Sequence, residues 1–243
     1  MGSEVTKGSP VLELQRLGDV SVPGDSLQRL GAPARRRALR FAGSKDREEF
    51  IAGRIAAQRY AASLLEVDPI RLTPAYDCPQ CGPGQDHGRP GFMLDGGPAP
   101  LVLSASRASG WVLLAAVVRP PCGTLLGVDL ESVSAAAYKG FDDVALTPRE
   151  RDAVIRLPAA ERNTGRARLW ARKEAWLKMT GEGLRRDPAG LDVLDRNGLS
   201  DLVLPAGMEG LVAALALSHA PEGVREGAEA LPRRAMAAGG LPG

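Results

Sequence analysis

The sequence has little cysteine, no long apolar run and almost no net charge. Only 3 of its 243 residues are cysteine, and this odd number argues against a disulfide framework and favours the reducing cytoplasm. The longest apolar run, Val112–Val118, is too short to span a bilayer, which takes about 20 residues. The net charge is only +2, which gives no argument for a nucleic-acid partner. We therefore expect a cytoplasmic globular protein with no membrane or nucleic-acid partner.

The remaining sequence alternates between helical and strand patterns, which predicts the α+β class. Apolar residues at helical spacing predict a helix over 45–66, and Thr147–Glu150 has the pattern of a capping box that begins another. A further helix is expected from about Ala159 to Thr180, ending at Gly181. The predicted strands are Trp111–Val118, Leu125–Glu131, Leu191–Leu194 and Leu211–Leu217. Residues 73–100 are rich in Pro and Gly and are predicted to be a loop, and residues 221–243 a disordered tail.

Two acidic residues share one face of a predicted strand. In Gly127-Val128-Asp129-Leu130-Glu131 the two carboxylates are about 6.6 Å apart along the strand. Like charges at this spacing repel each other unless a cation lies between them, and Mg²⁺ prefers such oxygen ligands. The alternative is an exposed edge strand with two solvated acids.

A second group of polar residues shares one face of a predicted helix. Trp170, Glu174 and Lys178 are spaced at i, i+4 and i+8, which brings them to the same side. Such an acid could bind a metal or accept a proton beside a phosphate-binding amine. The alternative is a solvated Glu-Lys pair on a helix whose tryptophans belong to the core.

Together the two segments resemble the paired signature of the 4′-phosphopantetheinyl transferases. The acidic strand is followed by Trp170-Ala-Arg-Lys-Glu-Ala-Trp-Leu-Lys178 and by Gly181-x-Gly183-Leu184, and the chain length resembles the longer, surfactin-synthetase-activator type. The resemblance implies transfer of the 4′-phosphopantetheine arm of coenzyme A to a serine of an acyl, peptidyl or polyketide carrier protein, with 3′,5′-bisphosphoadenosine as the second product. It also implies a monomer with two similar α/β subdomains, related by a pseudo-twofold axis, and an active site between them. The predicted boundaries are 1–120 and 121–220.

The resemblance also implies a role for each residue of the two segments. Asp129, Glu131 and Glu174 would hold Mg²⁺ on the pyrophosphate of coenzyme A. Glu174, or a water on the metal, would accept the proton of the attacking serine, and Lys178 would stabilise charge on the leaving phosphate.

Further upstream, the resemblance implies residues that bind coenzyme A. His87-Gly88-Arg89-Pro90 is similar to a family element in which Arg89 would bind a phosphate and Pro90 would lie against the adenine. Ser106 and Arg107 align with a family serine and histidine, and arginine in place of histidine retains phosphate contact but not the chemistry of a neutral imidazole. Two further cations lie near family positions for the nucleotide, although a solvated helix face explains them equally well: Arg37 and Arg54.

Glu150 has two interpretations at this stage. Longer family members often carry another acid near the metal at this place, whereas the capping box already accounts for the residue. Because Arg107 stands where the family has histidine, a second function also stays open. The protein would then be a homologue that binds coenzyme A or a carrier protein and has weak or no transferase activity.

The cysteine pair Cys78-Pro-Gln-Cys81 has the spacing of half a zinc site, and His87 is a possible third ligand. A structural zinc usually has four ligands, and neither Cys122 nor His219 is near in sequence. The sequence therefore favours a loop without metal, with a small zinc-binding interaction protein as a third hypothesis.

Overall fold

The computed structural model describes residues 8–78, 81–85 and 87–219. In this part of the chain the α-helices are α1 (Ser26–Arg29), α2 (Gly31–Ala38), α3 (Ser44–Leu65), α4 (Phe141–Ala145), α5 (Pro148–Arg156) and α6 (Arg162–Thr180). The strands are β1 (Val11–Arg16), β2 (Leu72–Pro74), β3 (Tyr76–Cys78), β4 (Gly82–Gln85), β5 (Phe92–Leu94), β6 (Gly97–Pro98), β7 (Leu101–Ala108), β8 (Trp111–Val118), β9 (Leu125–Ser132), β10 (Leu199–Leu202) and β11 (Leu211–Ser218). This mixture confirms the α+β prediction.

Two long helices each pack on a three-stranded antiparallel sheet. The first sheet has the order β1-β8-β7 and carries α3, and the second has the order β10-β11-β9 and carries α6. Small residues on both helices, such as Ala56 on α3 and Ala175 on α6, are buried in these two cores. Each half of the chain therefore contains one helix-on-sheet unit, in keeping with the two expected subdomains, whose boundaries stay a prediction.

The two sheets meet along β7 and β9. Leu113, Val117, Val128 and Leu130 form a third core between them, and the backbone N–H of Val128 donates to the Ser104 hydroxyl at 3.0 Å. Because successive side chains of a strand point to opposite faces, burial of Val128 and Leu130 here turns Asp129 the other way, towards α6.

The long elements agree with the sequence patterns. Helix α3 and strand β8 lie where they were predicted, and the Thr147–Glu150 capping box is formed with both of its hydrogen bonds. Helix α6 ends at Gly181, whose φ of 77° is left-handed. In the described ranges no helix has the length and apolar character that a membrane span needs. The predicted tail, 221–243, lies outside the described residues.

Two predictions about the backbone were wrong. The segment 73–100 is not all loop, because it contains short strands that form the sheet β2-β5-β6 and the hairpin β3-β4. The segment Leu191–Leu194 is not a strand, although Leu191 and Val193 are buried in alternation. The backbone N–H of Val193 donates to the Glu150 side chain at 2.9 Å, so a carboxylate takes the place of a neighbouring strand.

Gly127 is the point of closest approach between β9 and α6. A Cβ atom at this position would lie 2.0 Å from the Ala175 carbonyl oxygen and 2.6 Å from the Met179 nitrogen. We expect Gly127→Ala to lower the free energy of unfolding by about 1–3 kcal/mol or more, because backbone atoms must move. Gly210→Ala is the control, since no atom of the described residues lies within 4 Å of a Cβ built there. Urea unfolding curves compare the two, and equal stabilities would contradict this account.

Candidate active site

Three predicted site residues meet where β7, β9 and α6 come together. Asp129 on β9 is only 2% exposed. Its Oδ1 accepts hydrogen bonds from the Lys178 Nζ at 2.6 Å and from the Ser106 hydroxyl at 2.7 Å. The Lys178 amine also donates to the Ser106 hydroxyl, at 3.0 Å. The close approach at Gly127 brings α6, with Lys178, against β9, and the contact between β7 and β9 adds Ser106 from the other half of the chain.

Two carboxylate oxygens of this cluster are buried without a partner. Among the described residues, no hydrogen-bond partner lies near Asp129 Oδ2 or Glu174 Oε1. Buried polar atoms are almost always satisfied in proteins, so each such exception calls for an explanation. A divalent cation would satisfy both oxygens, and carboxylate oxygens are the ligands that Mg²⁺ prefers. The residues present therefore fit the metal that the sequence predicted.

Glu131 is the third acid of the cluster. Burial, followed by the charge of Asp129, raises its pKa to about 7, against the opposing effect of Lys178. Its Oε1 accepts a hydrogen bond from the Trp170 indole N–H at 3.1 Å. Burial and the nearby Asp129 also raise the pKa of Glu174. The three acids interact electrostatically, and the single lysine among them leaves the group short of positive charge.

The raised pKa of Glu131 predicts how stability depends on pH in the absence of added metal. A carboxyl with a higher pKa in the folded state holds its proton more tightly when folded. Its stabilising contribution is present below the ordinary value of 4.5 and is lost as the pH rises through about 7. We expect the free energy of unfolding to fall across this window in the wild type and to fall less in Glu131→Gln. Urea unfolding at several pH values measures both, and parallel profiles would contradict the prediction.

An arginine cluster lies on the other side of Lys178. The guanidinium carbons of Arg37, Arg54 and Arg107 are 5.7, 5.2 and 5.8 Å from the centroid of the Phe50 ring. Arg54 also lies 3.6 Å above the ring of Tyr76. Aromatic faces attract cations, so the rings help to hold three positive charges in one place.

These cations border an open cavity of about 420 Å³. Six of the residues predicted to bind coenzyme A line it: Arg37, Arg54, Pro90, Ser106, Arg107 and Lys178. Arg89 instead borders an adjoining cavity of about 200 Å³, and its guanidinium donates to the Met179 carbonyl at 2.9 Å. Arginines therefore line the cavity, and Lys178, which also lines it, is bonded to Asp129 of the carboxylate cluster.

Sequence reasoning missed the residues that hold these cations. Phe50 and Tyr76 gave no signal, because their contacts with the arginines depend on the tertiary fold. Gly53 lies opposite Arg107, and a Cβ there would be 2.8 Å from the Arg107 Cδ. A glycine inside a helical pattern is a recognised sign of close packing and could have indicated this approach.

Glu150 serves as a helix cap and lies in a buried ion pair. Its carboxylate accepts hydrogen bonds from the backbone N–H groups of Thr147 at 2.8 Å and Val193 at 2.9 Å. The Lys173 amine lies 2.6 Å from it, and both side chains are fully buried. Lys173 also donates to the Pro188 carbonyl at 2.7 Å. The contacts support the capping interpretation, and they assign Lys173 to the fold although it precedes Glu174 in the motif.

The fold and the cleft define a class of protein. It is an α+β protein whose buried acids suit a divalent cation and whose neighbouring arginines suit a phosphorylated ligand. The family model of the 4′-phosphopantetheinyl transferase superfamily matches residues 125–220. This match agrees with the resemblance seen in the sequence, and it supports a transferase. The comparison with curated proteins gives no match.

Proposed function

We propose that the protein transfers the 4′-phosphopantetheine arm of coenzyme A to a serine hydroxyl of a carrier protein, in a reaction that requires Mg²⁺. The observation that carries the proposal is a cavity lined by arginines, in which Lys178 and Ser106 are bonded to Asp129. Asp129 and Glu174 each have a buried carboxylate oxygen without a partner among the described residues. Phosphoryl transfer from a pyrophosphate needs positioning and charge neutralisation more than covalent catalysis. The cleft offers groups for both.

The carboxylate cluster would hold the metal. Asp129, Glu131 and Glu174 supply the oxygens, and Mg²⁺ bound there would neutralise charge on the pyrophosphate. Glu174 is also our candidate base, as the resemblance to the family implies, because its carboxylate can accept a proton beside the reacting phosphate. The serine oxygen forms a new bond to the phosphorus of the phosphopantetheine arm, and the bond from that phosphorus to the leaving 3′,5′-bisphosphoadenosine breaks. The serine proton passes to the base.

The cations would bind the rest of coenzyme A. The Lys178 amine lies between the arginine side and the acids, so it can donate to an oxygen of the leaving phosphate. Arg37, Arg54 and Arg107 would bind the other phosphates, and the planar fork of Arg107 replaces the family histidine in this contact. Pro90 would lie against the adenine. One chain supplies both the arginines and the acids, which is why we also propose a monomer.

The test is a mass measurement on apo carrier proteins. The protein is incubated with coenzyme A, Mg²⁺ and a panel of fatty-acid, polyketide and peptide carriers. We expect at least one carrier to gain the mass of the arm, and EDTA to prevent the gain. If no carrier gained mass while calorimetry still showed that the protein binds coenzyme A, the transferase proposal would be contradicted and a binding homologue favoured.

A further inference from the structure

The hairpin β3-β4 and the residues after it bring two thiols and an imidazole together. One potential ligand atom from each of Cys78, Cys81 and His87 lies within 4.8 Å of the other two. We propose that these three side chains bind a Zn²⁺ ion, which fixes the loop leading into Arg89 and Pro90. This site is separate from the carboxylate cluster, and metal binding here does not depend on the proposed transfer reaction.

The distances are close to those of a zinc site. With Zn–S bonds of about 2.3 Å, two thiolates of a tetrahedral site are about 3.8 Å apart. The three ligand atoms therefore need to approach each other by no more than about 1 Å. Cys78 is buried and fixed at the end of β3, whereas Cys81 is exposed and His87 half-buried. Side-chain rotation at the last two residues can supply this movement.

The backbone holds the three ligands in place without the metal. Cys78 pairs with Gly82 across the hairpin, and the left-handed φ of Gly82, +75°, lets the chain turn back. On the other side, Asp77 and Arg89 exchange two backbone hydrogen bonds, of 3.0 and 2.7 Å. His87 is thereby held two residues from a paired position, next to the strand that ends in Cys78.

Gly88 shows how closely these two segments approach. Its φ is +94°, and a Cβ atom there would lie 2.3 Å from the Asp77 carbonyl oxygen. Only glycine fits both the conformation and the space. The two backbone segments that carry Cys78 and His87 are therefore fixed against each other, which lowers the entropy cost of forming a metal site.

The ligand chemistry selects zinc over the ion of the carboxylate cluster. Thiolate and imidazole ligands favour Zn²⁺, whereas Mg²⁺ prefers oxygen. The thiolate is the form of cysteine that binds a metal, and a bound cation would stabilise both thiolates. Three protein ligands leave a fourth tetrahedral position, which we assign to water.

The position of the loop gives the metal a role. His87, Gly88 and Pro90 line the larger cavity, and Arg89 is bonded to the end of α6. A metal that ties His87 to the hairpin would therefore fix one wall of the cleft. This role, unlike metal binding itself, rests on the proposed binding of coenzyme A.

Metal content is the direct test. The full chain is expressed with zinc in the medium, dialysed briefly against EDTA and analysed by mass spectrometry of the elements. We expect about one zinc per chain in the wild type and its loss in Cys78→Ser/Cys81→Ser. Cys122→Ser is the matched control, because this exposed cysteine lies outside the site and should leave the zinc content unchanged.

Cobalt gives a second readout, and His87→Ala a second variant in case the double variant does not fold. We expect Co²⁺ to produce thiolate charge-transfer bands and the visible bands of a tetrahedral ion, both weakened in His87→Ala. A wild type without zinc, a Cys78–Cys81 disulfide detected as a mass loss of two hydrogens, or zinc retained by both site variants would overturn the proposal. None of these measurements uses coenzyme A, so they are independent of the transferase assay.

Discussion

Asp129→Ala is expected to lower the rate of phosphopantetheinyl transfer by about 10²–10³-fold or more. Asp129 is the most buried of the three acids, and it contacts both Lys178 and Ser106. Its removal would leave the metal site one ligand short and the lysine without its ion-pair partner. Glu174→Ala removes the second unpartnered oxygen and should have an effect of the same order.

The measurement is the initial rate of mass gain by an apo carrier at saturating Mg²⁺. Asp201→Ala is the matched control, since Asp201 lies on β10 of the same sheet and forms an exposed ion pair with Arg172, away from the carboxylate cluster. Such pairs contribute about 0–1 kcal/mol, so this variant should keep its rate. Circular dichroism checks that each variant is folded. A normal rate in folded Asp129→Ala would mean that the metal assignment is wrong.

The site could be predicted from sequence where its chemistry depends on short, fixed spacings. Alternation along β9 places Asp129 and Val128 on opposite faces of the strand, and the spacing of four places Glu174 and Lys178 on one face of the helix. Both placements follow from local geometry. The family match over residues 125–220 covers these two segments. The roles of the individual side chains stay predictions until the variants are measured.

The rest of the site depends on contacts between residues distant in sequence. Arg37 and Arg54 gave only weak signals, because the contacts that place both beside Phe50 form only once the chain has folded. The strands between residues 72 and 98 are two to four residues long, too short to show a period among prolines and glycines. The apolar Leu191 and Val193 flank a polar residue as along a strand, but the backbone N–H of Val193 donates to the Glu150 carboxylate and not to a neighbouring strand.

Helix α6 carries two lysines that differ in burial and in what they contact. Lys178 faces the cleft and remains partly accessible, with 32% of its side chain exposed, whereas Lys173 is fully enclosed. Lys178 comes five positions after Lys173, which is about 140° around the helix, so the two side chains point in different directions. The same motif accordingly contains a group that we propose acts in the reaction and a group that fixes α6 to the Thr147 turn.

Lys173→Met is expected to lower the free energy of unfolding by about 3–5 kcal/mol. The variant leaves the carboxylate of Glu150 fully buried without its counter-charge, and an uncompensated buried charge is costly. Burial lowers the pKa of Lys173, and the hydrogen bond to Glu150 opposes this shift. The variant removes that hydrogen bond together with the positive charge. Two backbone N–H donors keep Glu150 in place, so the charge cannot move to water without breaking the cap of α5.

Arg172→Met is the matched control, because Arg172 is the preceding residue of α6 and its ion pair with Asp201 lies at the surface. We expect a change within about 1 kcal/mol in this variant. Glu150→Gln/Lys173→Met removes both charges while glutamine retains one acceptor oxygen, and it should recover part of the loss seen in Lys173→Met. Urea unfolding of the wild type, Glu150→Gln, Lys173→Met and the double variant gives the coupling energy between the two sites. If the double variant were as unstable as the sum of both single changes, Glu150 and Lys173 would be acting independently, which would contradict a stabilising ion pair between them.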